Sequence, residues 1–418
     1  MLTSMCSCSG RGEAISQDLS RTLDSVSVQA QERIRQIEGE IDYFLSRHDR
    51  RDEGYEEVIR YSRQGDDALR NYLPKGRITL GSMLFQRAGK VIRHDAHRRL
   101  IIGRLQSDTL VSGVRIDSTG FYAGDMNKRA DAWGHGFYRS IDGEYYEGPW
   151  QHDQREGFGI SIGPSHLHVG TWRYGSFRGE HNKHHSDRIY GIDISRYQHE
   201  KGRRRFPVNW SNMRVVGFGR RIGQDCVVEE RVDYPVSFVY IKSTEGVTIE
   251  NRYYVGDDEQ VRSLGLPVGA YHFFSTRTPA REQAAHFLSH TRISRGDLPP
   301  MLDIEPSDKM IDEMGGPIVL FDAVRQWLNV VERTTNCRPI IYINQRFAHI
   351  YLPFAPDIKQ NYRLWVARYS EYKPDVHHDI WQLSGDGRVS GFQPDVDINV
   401  FNGYQALWQE FLRNCSVP

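Results

Sequence analysis

Two carboxylic acids, Asp303 and Glu305, stand one residue apart in the short apolar run "MLDIEP" at residues 301–306. In a strand, residues two apart point to the same face, so both acids project together while Leu302 and Ile304 project the other way. An acid on a buried face is costly. Mutual repulsion in a partly desolvated pair, however, keeps one of the two acids protonated near neutral pH. The spacing therefore predicts a general acid with a second carboxylate beside it.

The elements that would position this pair follow residue 188, where short apolar runs alternate with helical stretches. The runs predict strands that end in polar or aromatic residues: "IYGIDIS", "SFVYIKSTEG", "LPVGAYHFF", "PPMLDIEP", "RPIIYIN", "RLWVARY" and "HDIWQLS". Stretches such as "PAREQAAHFLSHT" and "GGPIVLFDAVRQWLNVVERTT" predict helices between several of them. This alternation predicts a parallel β/α barrel. In such barrels the chemistry lies at the C-terminal ends of the strands, where these polar residues fall.

The region from 189 to about 410 resembles the glycoside hydrolase family 25 lysozymes, the Chalaropsis-type muramidases. Nine motifs carry the resemblance in the family's order: "GIDISRYQ", "VNW", "FVYIKSTEG", "GLPVGAYHFF", "MLDIEP", "PIIYIN", "LWVARY", "IWQLSGDGRVSG" and "VDINVFNG". The chain departs from the family between Trp210 and Tyr234, where its connection is longer than in compact members. The shape of the cleft and its specificity are therefore left open.

The resemblance implies a peptidoglycan hydrolase that cuts the β-1,4 bond between N-acetylmuramic acid and N-acetylglucosamine, with Glu305 as general acid. Asp303 would tune that acid or orient the substrate's N-acetyl group. Asp193 and Asp397 match the family's other two acids and would complete a negatively charged pit at the barrel mouth. The family suggests retention with substrate assistance, and no nucleophile is assigned. A salt bridge or a helix cap is the alternative role for each acid.

Other side chains at strand ends are candidates for binding sugar rings, whose flat apolar faces stack on aromatic groups. They are Tyr271, Phe273, Tyr342, Trp365, Trp381 and Gln382. The alternative is that the aromatic residues belong to the core, as most aromatic residues in strands do. Lys242 and Glu245 also match the family, and we expect them to form a structural ion pair at the rim.

The N-terminal segment shows a helical period. Apolar residues recur at steps of three and four, which predicts an amphipathic helix or a short coiled coil: Ile15, Leu19, Leu23, Val26, Ala30, Ile34, Ile37, Ile41 and Phe44. Such a stem would either associate with a second copy or pack on its own domain.

A repeat follows the helical segment. Glycines that come after apolar or aromatic residues recur at Gly81, Gly103, Gly124, Gly148 and Gly170, and a sustained period of this size indicates a stacked array of hairpins. "YYEGPWQHDQREGFGI" is the unit most similar to a MORN repeat, and the first two units are degenerate. The resemblance implies a curved antiparallel sheet that binds a protein or surface partner or acts as a spacer. Alternatively, the glycines and aromatic residues serve the hairpins alone.

These patterns predict an α/β protein in four segments. They are a leader and helical stem (1–70), MORN-like hairpins forming an antiparallel β-meander (71–180), a linker (181–188) and an irregular (β/α) barrel (189–418). The histidines of the linker, His181, His184 and His185, are expected to be solvated. Five scattered cysteines form neither a disulfide framework nor a zinc motif.

Composition limits the partners. Lys plus Arg and Asp plus Glu are equal at 54 each, so charge gives no case for a nucleic acid or an anionic membrane. No apolar run is long enough to span a bilayer. The sequence calls for no cofactor and shows no sign of a required metal. The expected partner is the peptidoglycan glycan strand, which places the site of action outside the cytoplasm, although the N-terminus shows no export signal.

Two alternatives to peptidoglycan hydrolysis stay open. The barrel could act on chitin or another N-acetylglucosamine polymer. In a different class, the chain could be a non-catalytic glycan-binding or scaffold protein whose repeats are the working part. The presence of all four family acids favours an enzyme.

Overall fold

The computed structural model of the chain describes residues 28, 35, 37–64, 89–95, 97–164, 166–181, 184–219 and 231–418. Most of the predicted helix before residue 37, the first repeat unit around Gly81, and the segment 220–230 lie outside the described residues. The chain divides into two compact units between Glu180 and His181. No helix in these described ranges has both the length and the apolar character needed to cross a membrane.

Two helices begin the main described part of the first unit, α1 (Glu38–Arg47) and α2 (Tyr55–Gln64). Acidic side chains in the first turn of α1 and an arginine in its last turn complement the helix dipole. The apolar residues Ile37, Ile41 and Phe44 recur at helical spacing and are buried in a core shared with strands of the same unit. This face of α1 therefore packs within its own unit, and self-association through the stem stays a prediction.

The strands of the first unit form one ten-stranded sheet, in which each observed pairing is antiparallel. Successive strands are neighbours, except that the two-residue strand β7 pairs only with β6. The strands are β1 (Lys90–His94), β2 (Leu100–Gln106), β3 (Thr109–Ile116), β4 (Gly120–Met126), β5 (Ala132–Ser140), β6 (Tyr145–Gln151), β7 (Gln154–Arg155), β8 (Gly157–Ile162), β9 (Leu167–Arg173) and β10 (Ser176–Gly179).

Close packing of tyrosine rings explains why glycine recurs in this sheet. A Cβ atom added at Gly136 would lie 2.4 Å from the Tyr122 hydroxyl, and one added at Gly159 would lie 2.5 Å from the Tyr146 hydroxyl. Each ring thus needs a glycine on the neighbouring strand. The relation of this sheet to MORN repeats, and any partner that it binds, stay predictions.

The second unit contains a closed barrel of eight strands. Neighbours around the barrel are β11, β15, β17, β18, β19, β20, β21 and β22, and β22 pairs with β11 to close the circle. The strands of this unit are β11 (Tyr190–Ile194), β12 (Glu200–Lys201), β13 (Arg204–Arg205), β14 (Arg214–Gly217), β15 (Arg231–Glu245), β16 (Ile249–Glu250), β17 (Val268–Phe273), β18 (Met301–Asp303), β19 (Ile340–Asn344), β20 (Arg363–Ala367), β21 (Ile380–Val389) and β22 (Val396–Phe401). The predicted barrel is confirmed.

One strand departs from the predicted parallel arrangement. β22 runs antiparallel to both of its neighbours, whereas the pairings from β11 to β21 around the rest of the barrel are parallel. The connection from Val389 to Val396 is too short for the crossover of a dozen or more residues that a parallel neighbour needs. The first residues of β22 therefore lie at the same rim as the C-terminal ends of the other strands.

Helices surround this barrel and pack on it through a large apolar core. They are α3 (Tyr254–Ser263), α4 (Ala280–His290), α5 (Asp308–Met314), α6 (Pro317–Thr335), α7 (Gln345–Ile350), α8 (Pro356–Asn361) and α9 (Gln405–Cys415). Leu302 and Ile304 of the acid-bearing run belong to this core, together with residues of α6 such as Leu320 and Trp327. Met301, in contrast, packs with Tyr240 and Tyr342 in a second core. The two faces of the "MLDIEP" run are thus separated as the strand period requires.

The longer connection between Trp210 and Tyr234 contains a short strand, β14. β14 pairs antiparallel with the beginning of β15 and with the end of β21, at Val215 opposite Tyr234 and Val389. This short strand therefore lies beside the closed barrel and extends its sheet.

Candidate active site

Four carboxyl groups converge at one end of the barrel. Asp193 lies near the end of β11, Asp303 ends β18, Glu305 follows two residues later, and Asp397 is the second residue of the antiparallel strand β22. Burial, and after it the charges of all four acids, raise the pKa of Tyr271, whose hydroxyl therefore lies among them. The structure thus brings together every acid that the sequence singled out.

Asp193 and Asp397 form a directly opposed pair on the neighbouring strands β11 and β22. Oδ1 of Asp193 accepts hydrogen bonds from the side-chain amides of Gln382 at 2.9 Å and Asn399 at 2.8 Å. Burial raises the pKa of Asp193, and burial followed by the charge of Asp193 raises the pKa of Asp397 well above its usual range. The two carboxyls are also hydrogen-bonded to each other, so one proton is shared between them.

Asp303 is a buried acid with one oxygen that lacks a hydrogen-bond partner among the described residues. Its side chain is 7% exposed, and among the residues that the structure describes none hydrogen-bonds to its Oδ1. Burial, then the charge of Glu305, raise the pKa of Asp303 well above its usual range. A carboxyl that tends to stay neutral, with one buried oxygen that no described residue hydrogen-bonds, is therefore held beside Glu305.

Glu305 lies at the mouth, where it remains accessible to solvent. Partial desolvation of its carboxyl by the surrounding residues, then the charge of Asp193, raise the pKa of Glu305, whereas the positive charge of Lys242 lowers it. A carboxyl that is both reachable and inclined to keep its proton can donate that proton to a bound molecule.

Lys242 and Glu245 form the ion pair that we expected at the rim, with 2.7 Å between Nζ and Oε2. Lys242 also lies over the ring of Phe273, with Nζ 4.6 Å from the ring centroid. The positive charge lowers the pKa of both Asp303 and Glu305. Lys242 therefore acts on the acid cluster as well as on the rim. Contact between the half-buried Phe273 and a sugar stays a prediction.

A layer of hydroxyl and amide groups lies against the acids. Oε1 of Gln382 accepts hydrogen bonds from the hydroxyls of Tyr342 at 2.7 Å and Tyr369 at 2.8 Å, while Nε2 donates to Asp193. Gln382 and the ring of Tyr342 are buried, so they fix the acids more directly than they could offer a flat surface to a ligand. Sugar binding by Tyr271, Tyr342 and Gln382 stays a prediction.

Burial argues against the stacking role that was expected for Trp365 and Trp381. Trp365 is 0% exposed and Trp381 is 1% exposed, so neither ring face is available to a sugar. Nε1 of Trp365 donates to Oδ1 of Asn399 at 3.1 Å, and that of Trp381 donates to the carbonyl of Arg368 at 2.8 Å. Trp365 thus supports Asp193 through Asn399, whereas Trp381 packs in the core outside the barrel.

Sequence reasoning missed two residues of this site, Asn399 and Tyr369. Asn399 stands two residues after Asp397 in "VDINVF", so strand alternation places both on one face, which was a usable signal. Tyr369 follows β20 at the end of the quoted motif "LWVARY" and is 48% exposed, which makes it an accessible aromatic group beside the acids. A separate group, Glu250 with His286 and His290, has ligand atoms close enough to hold a metal ion.

Comparisons with known proteins point to one family. The model of glycosyl hydrolases family 25 matches residues 192–392, a range that includes Asp193, Asp303 and Glu305 and ends just before Asp397. The protein YegX of Escherichia coli K12 is 33% identical over 228 residues, which cover 54% of this chain and 73% of YegX. Lysozyme M1 of Streptomyces globisporus is 27% identical over 234 residues, 52% of this chain and 69% of the relative. A solved lysozyme from Streptomyces coelicolor has 25% identity and a TM-score of 0.44, and the match covers 55% of this chain and 99% of that one.

Proposed function

We propose that this chain, which belongs to glycosyl hydrolase family 25 and is a glycoside hydrolase, is an N-acetylmuramidase of peptidoglycan. It would cut the β-1,4 bond between N-acetylmuramic acid and N-acetylglucosamine. The observation that carries the proposal is the convergence of four carboxyls with raised pKa values at one mouth of the barrel. Cleavage of a glycoside needs both a proton donor and negative charge beside the anomeric carbon.

Glu305 is the proton donor in this proposal. Of the four acids it is the one that solvent reaches most freely, and its raised pKa favours the protonated form. It would transfer its proton to the glycosidic oxygen as the bond to the anomeric carbon breaks. Lys242 limits how far this pKa rises, which keeps proton transfer feasible.

Asp193 supplies the negative charge. Burial raises the pKa of Asp193, but two amide donors and the hydrogen bond from Asp397 oppose that rise, so within the pair Asp193 carries the charge that would face the positive charge developing on the sugar. Asp303 would tune Glu305 or orient the acetamido group of the substrate, and because its Oδ1 is buried, contact with that group would have to come from its other oxygen.

The name of the relative from Streptomyces globisporus, a lysozyme, supports the choice of substrate. Because peptidoglycan lies outside the cytoplasmic membrane, we place the action of the protein outside the cytoplasm. The sheet of the first unit has no assigned role in the reaction.

Mass spectrometry of fragments released from purified peptidoglycan tests this proposal. A muramidase releases fragments with N-acetylmuramic acid at the reducing end, whereas an enzyme that cuts the other bond leaves N-acetylglucosamine there. Chitin oligomers in parallel reactions test the alternative substrate. Binding of peptidoglycan without any released fragment would instead support a scaffold.

Glu305→Gln tests the general acid in the same assay. Loss of a general acid lowers the rate by about 10²–10⁴-fold, and the fold should persist because the side chain is exposed. Glu313→Gln is the matched control, since Glu313 is an exposed acid on α5 that pairs only loosely with Lys309 at 3.6 Å. Full activity of Glu305→Gln would refute the assignment.

A further inference from the structure

Three side chains that commonly bind metals lie together outside the acid cluster. His286 and His290 are four residues apart on α4, and Glu250 lies on the short strand β16. One ligand atom from each lies within 4.8 Å of the others. Residues four apart on a helix share a face, so the two imidazoles can both turn toward one ion.

Contacts at both ring nitrogens fix the orientation of the His290 imidazole. Its Nδ1 lies 2.8 Å from the carbonyl oxygen of His286 and 2.9 Å from Oγ of Ser289, so Nδ1 is engaged within the helix and Nε2 is left as the ligating atom. Its Nε2 lies 3.0 Å from Oε1 of Glu250. Nε2 of His290 and Oε1 of Glu250 are therefore close enough to bind one cation together. Ligating histidines are usually held in this manner, through the other ring nitrogen.

The remaining ligand, His286, is positioned by its neighbours. Its ring centroid is 4.5 Å from that of His290, and its Nε2 lies 3.3 Å from the carbonyl oxygen of Ile249. If Nε2 donates to that carbonyl, the lone pair of Nδ1 is left for an ion. Glu250 and His290 are exposed and His286 is half-buried, so water can fill the remaining coordination positions.

We propose that Glu250, His286 and His290 form a binding site for a divalent cation that prefers nitrogen and oxygen ligands, with Zn²⁺ as the best match. β16 pairs with the end of β15, where Ile249 lies opposite Glu245 of the rim ion pair. A bound ion would therefore tie this rim hairpin to α4. Binding to the folded state alone would also stabilise the chain.

Calorimetric titration of the metal-free full-length protein with ZnCl₂ tests the site. His286→Gln and His290→Gln should each lose one binding equivalent or weaken it by at least about tenfold. His349→Gln is the matched control, because His349 is also half-exposed and pairs with a carboxylate, Asp375, at 2.7 Å, without a second histidine. The control should bind as the wild type does, and the comparison isolates this site from any other histidine or cysteine that binds zinc.

Hydrogen exchange provides a second readout that needs no variant. Zinc should slow the exchange of amides in residues 244–251 and 286–292 of the wild type, and this slowing should be absent in His290→Gln. Unchanged stoichiometry and affinity in both histidine variants would overturn the proposal. Exchange in these segments that zinc leaves unaltered would overturn it as well. Neither result bears on cleavage of peptidoglycan, so this proposal and the proposed function can fail separately.

Discussion

Asp193 and Asp397 stand directly opposite each other on antiparallel strands and share a hydrogen bond. Two ionised carboxylates at that spacing would repel strongly, so the pair holds a proton. Asp193 accepts from two amides, which stabilises its charge. The proton therefore resides on Asp397, which donates to Asp193. Each acid of the pair has its own role, one as a charged group and the other as a neutral donor.

This assignment predicts that replacing an acid of the pair by its amide affects activity little at Asp397 and strongly at Asp193. Asp397→Asn replaces a neutral donor by another neutral donor, so activity should stay within about tenfold of the wild type. Asp193→Asn removes the charge beside the anomeric carbon and should lower kcat by about 10²–10³-fold, as loss of one preorganised electrostatic contact does. Steady-state rates on a soluble peptidoglycan fragment measure both. Equal losses in the two variants would contradict the placement of the proton.

The pH dependence of activity provides a second prediction. The proton donor must be protonated, so activity is lost as pH rises through the raised pKa of Glu305. Lys242→Met removes a positive charge that lowers the pKa of Glu305 and Asp303. The alkaline limb of the kcat/KM profile should therefore move to higher pH, by up to about one unit.

Lys359→Met is the control for this shift. Lys359 is an exposed lysine on α8, and it does not contribute to the pKa of any of the four acids. Its loss should leave both limbs of the profile in place. An alkaline limb that stays fixed in Lys242→Met would show that Glu305 does not determine it.

Local pattern was enough to predict the pair Asp303 and Glu305, whereas Asp193 and Asp397 were predicted from the family resemblance. The period of two in "MLDIEP" separates Asp303 from Leu302 and Ile304, and the structure places the latter two in the outer core. The barrel prediction rested on the same kind of signal, alternation of strands and helices. Features that depend only on residues close together in the sequence could therefore be predicted.

The sequence could not predict how deeply each side chain at a strand end is buried in the barrel. Trp365 and Trp381 both end strand-like runs, and the sequence cannot tell a ring at the mouth from a ring below it. Their burial is set by packing between strands that are distant in sequence, as in the hydrogen bond from Trp365 to Asn399. The antiparallel direction of β22 was missed although its short connection to β21 could have revealed it.

A third prediction concerns stability. The usual pKa of an aspartic acid is about 3.9, which applies to the unfolded chain. Burial and the charge of Glu305 hold the pKa of folded Asp303 well above that. The folded protein therefore binds a proton that the unfolded chain releases, and its free energy of unfolding falls as pH rises from about 4 through the folded pKa.

Asp303→Asn removes this loss of stability. Near neutral pH its free energy of unfolding should exceed that of the wild type by about 1 kcal/mol or more, and the difference should vanish below about pH 4. Thermal unfolding at several pH values measures this. Asp312→Asn, at an exposed acid on α5, is the control and should show no such trend. A variant less stable than the wild type at neutral pH would refute the argument.

The last prediction tests the corrected role of Trp365. Trp365→Phe keeps most of the buried ring but removes the N–H group that holds Asn399, so Asp193 loses a fixed donor. We expect kcat to fall by between about tenfold and a hundredfold with little change in KM, as a misplaced catalytic group does. Trp381→Phe removes an equally buried N–H that donates to the carbonyl of Arg368, away from Asp193, and should leave both constants nearly unchanged. A raised KM with normal kcat in Trp365→Phe would instead restore the stacking role.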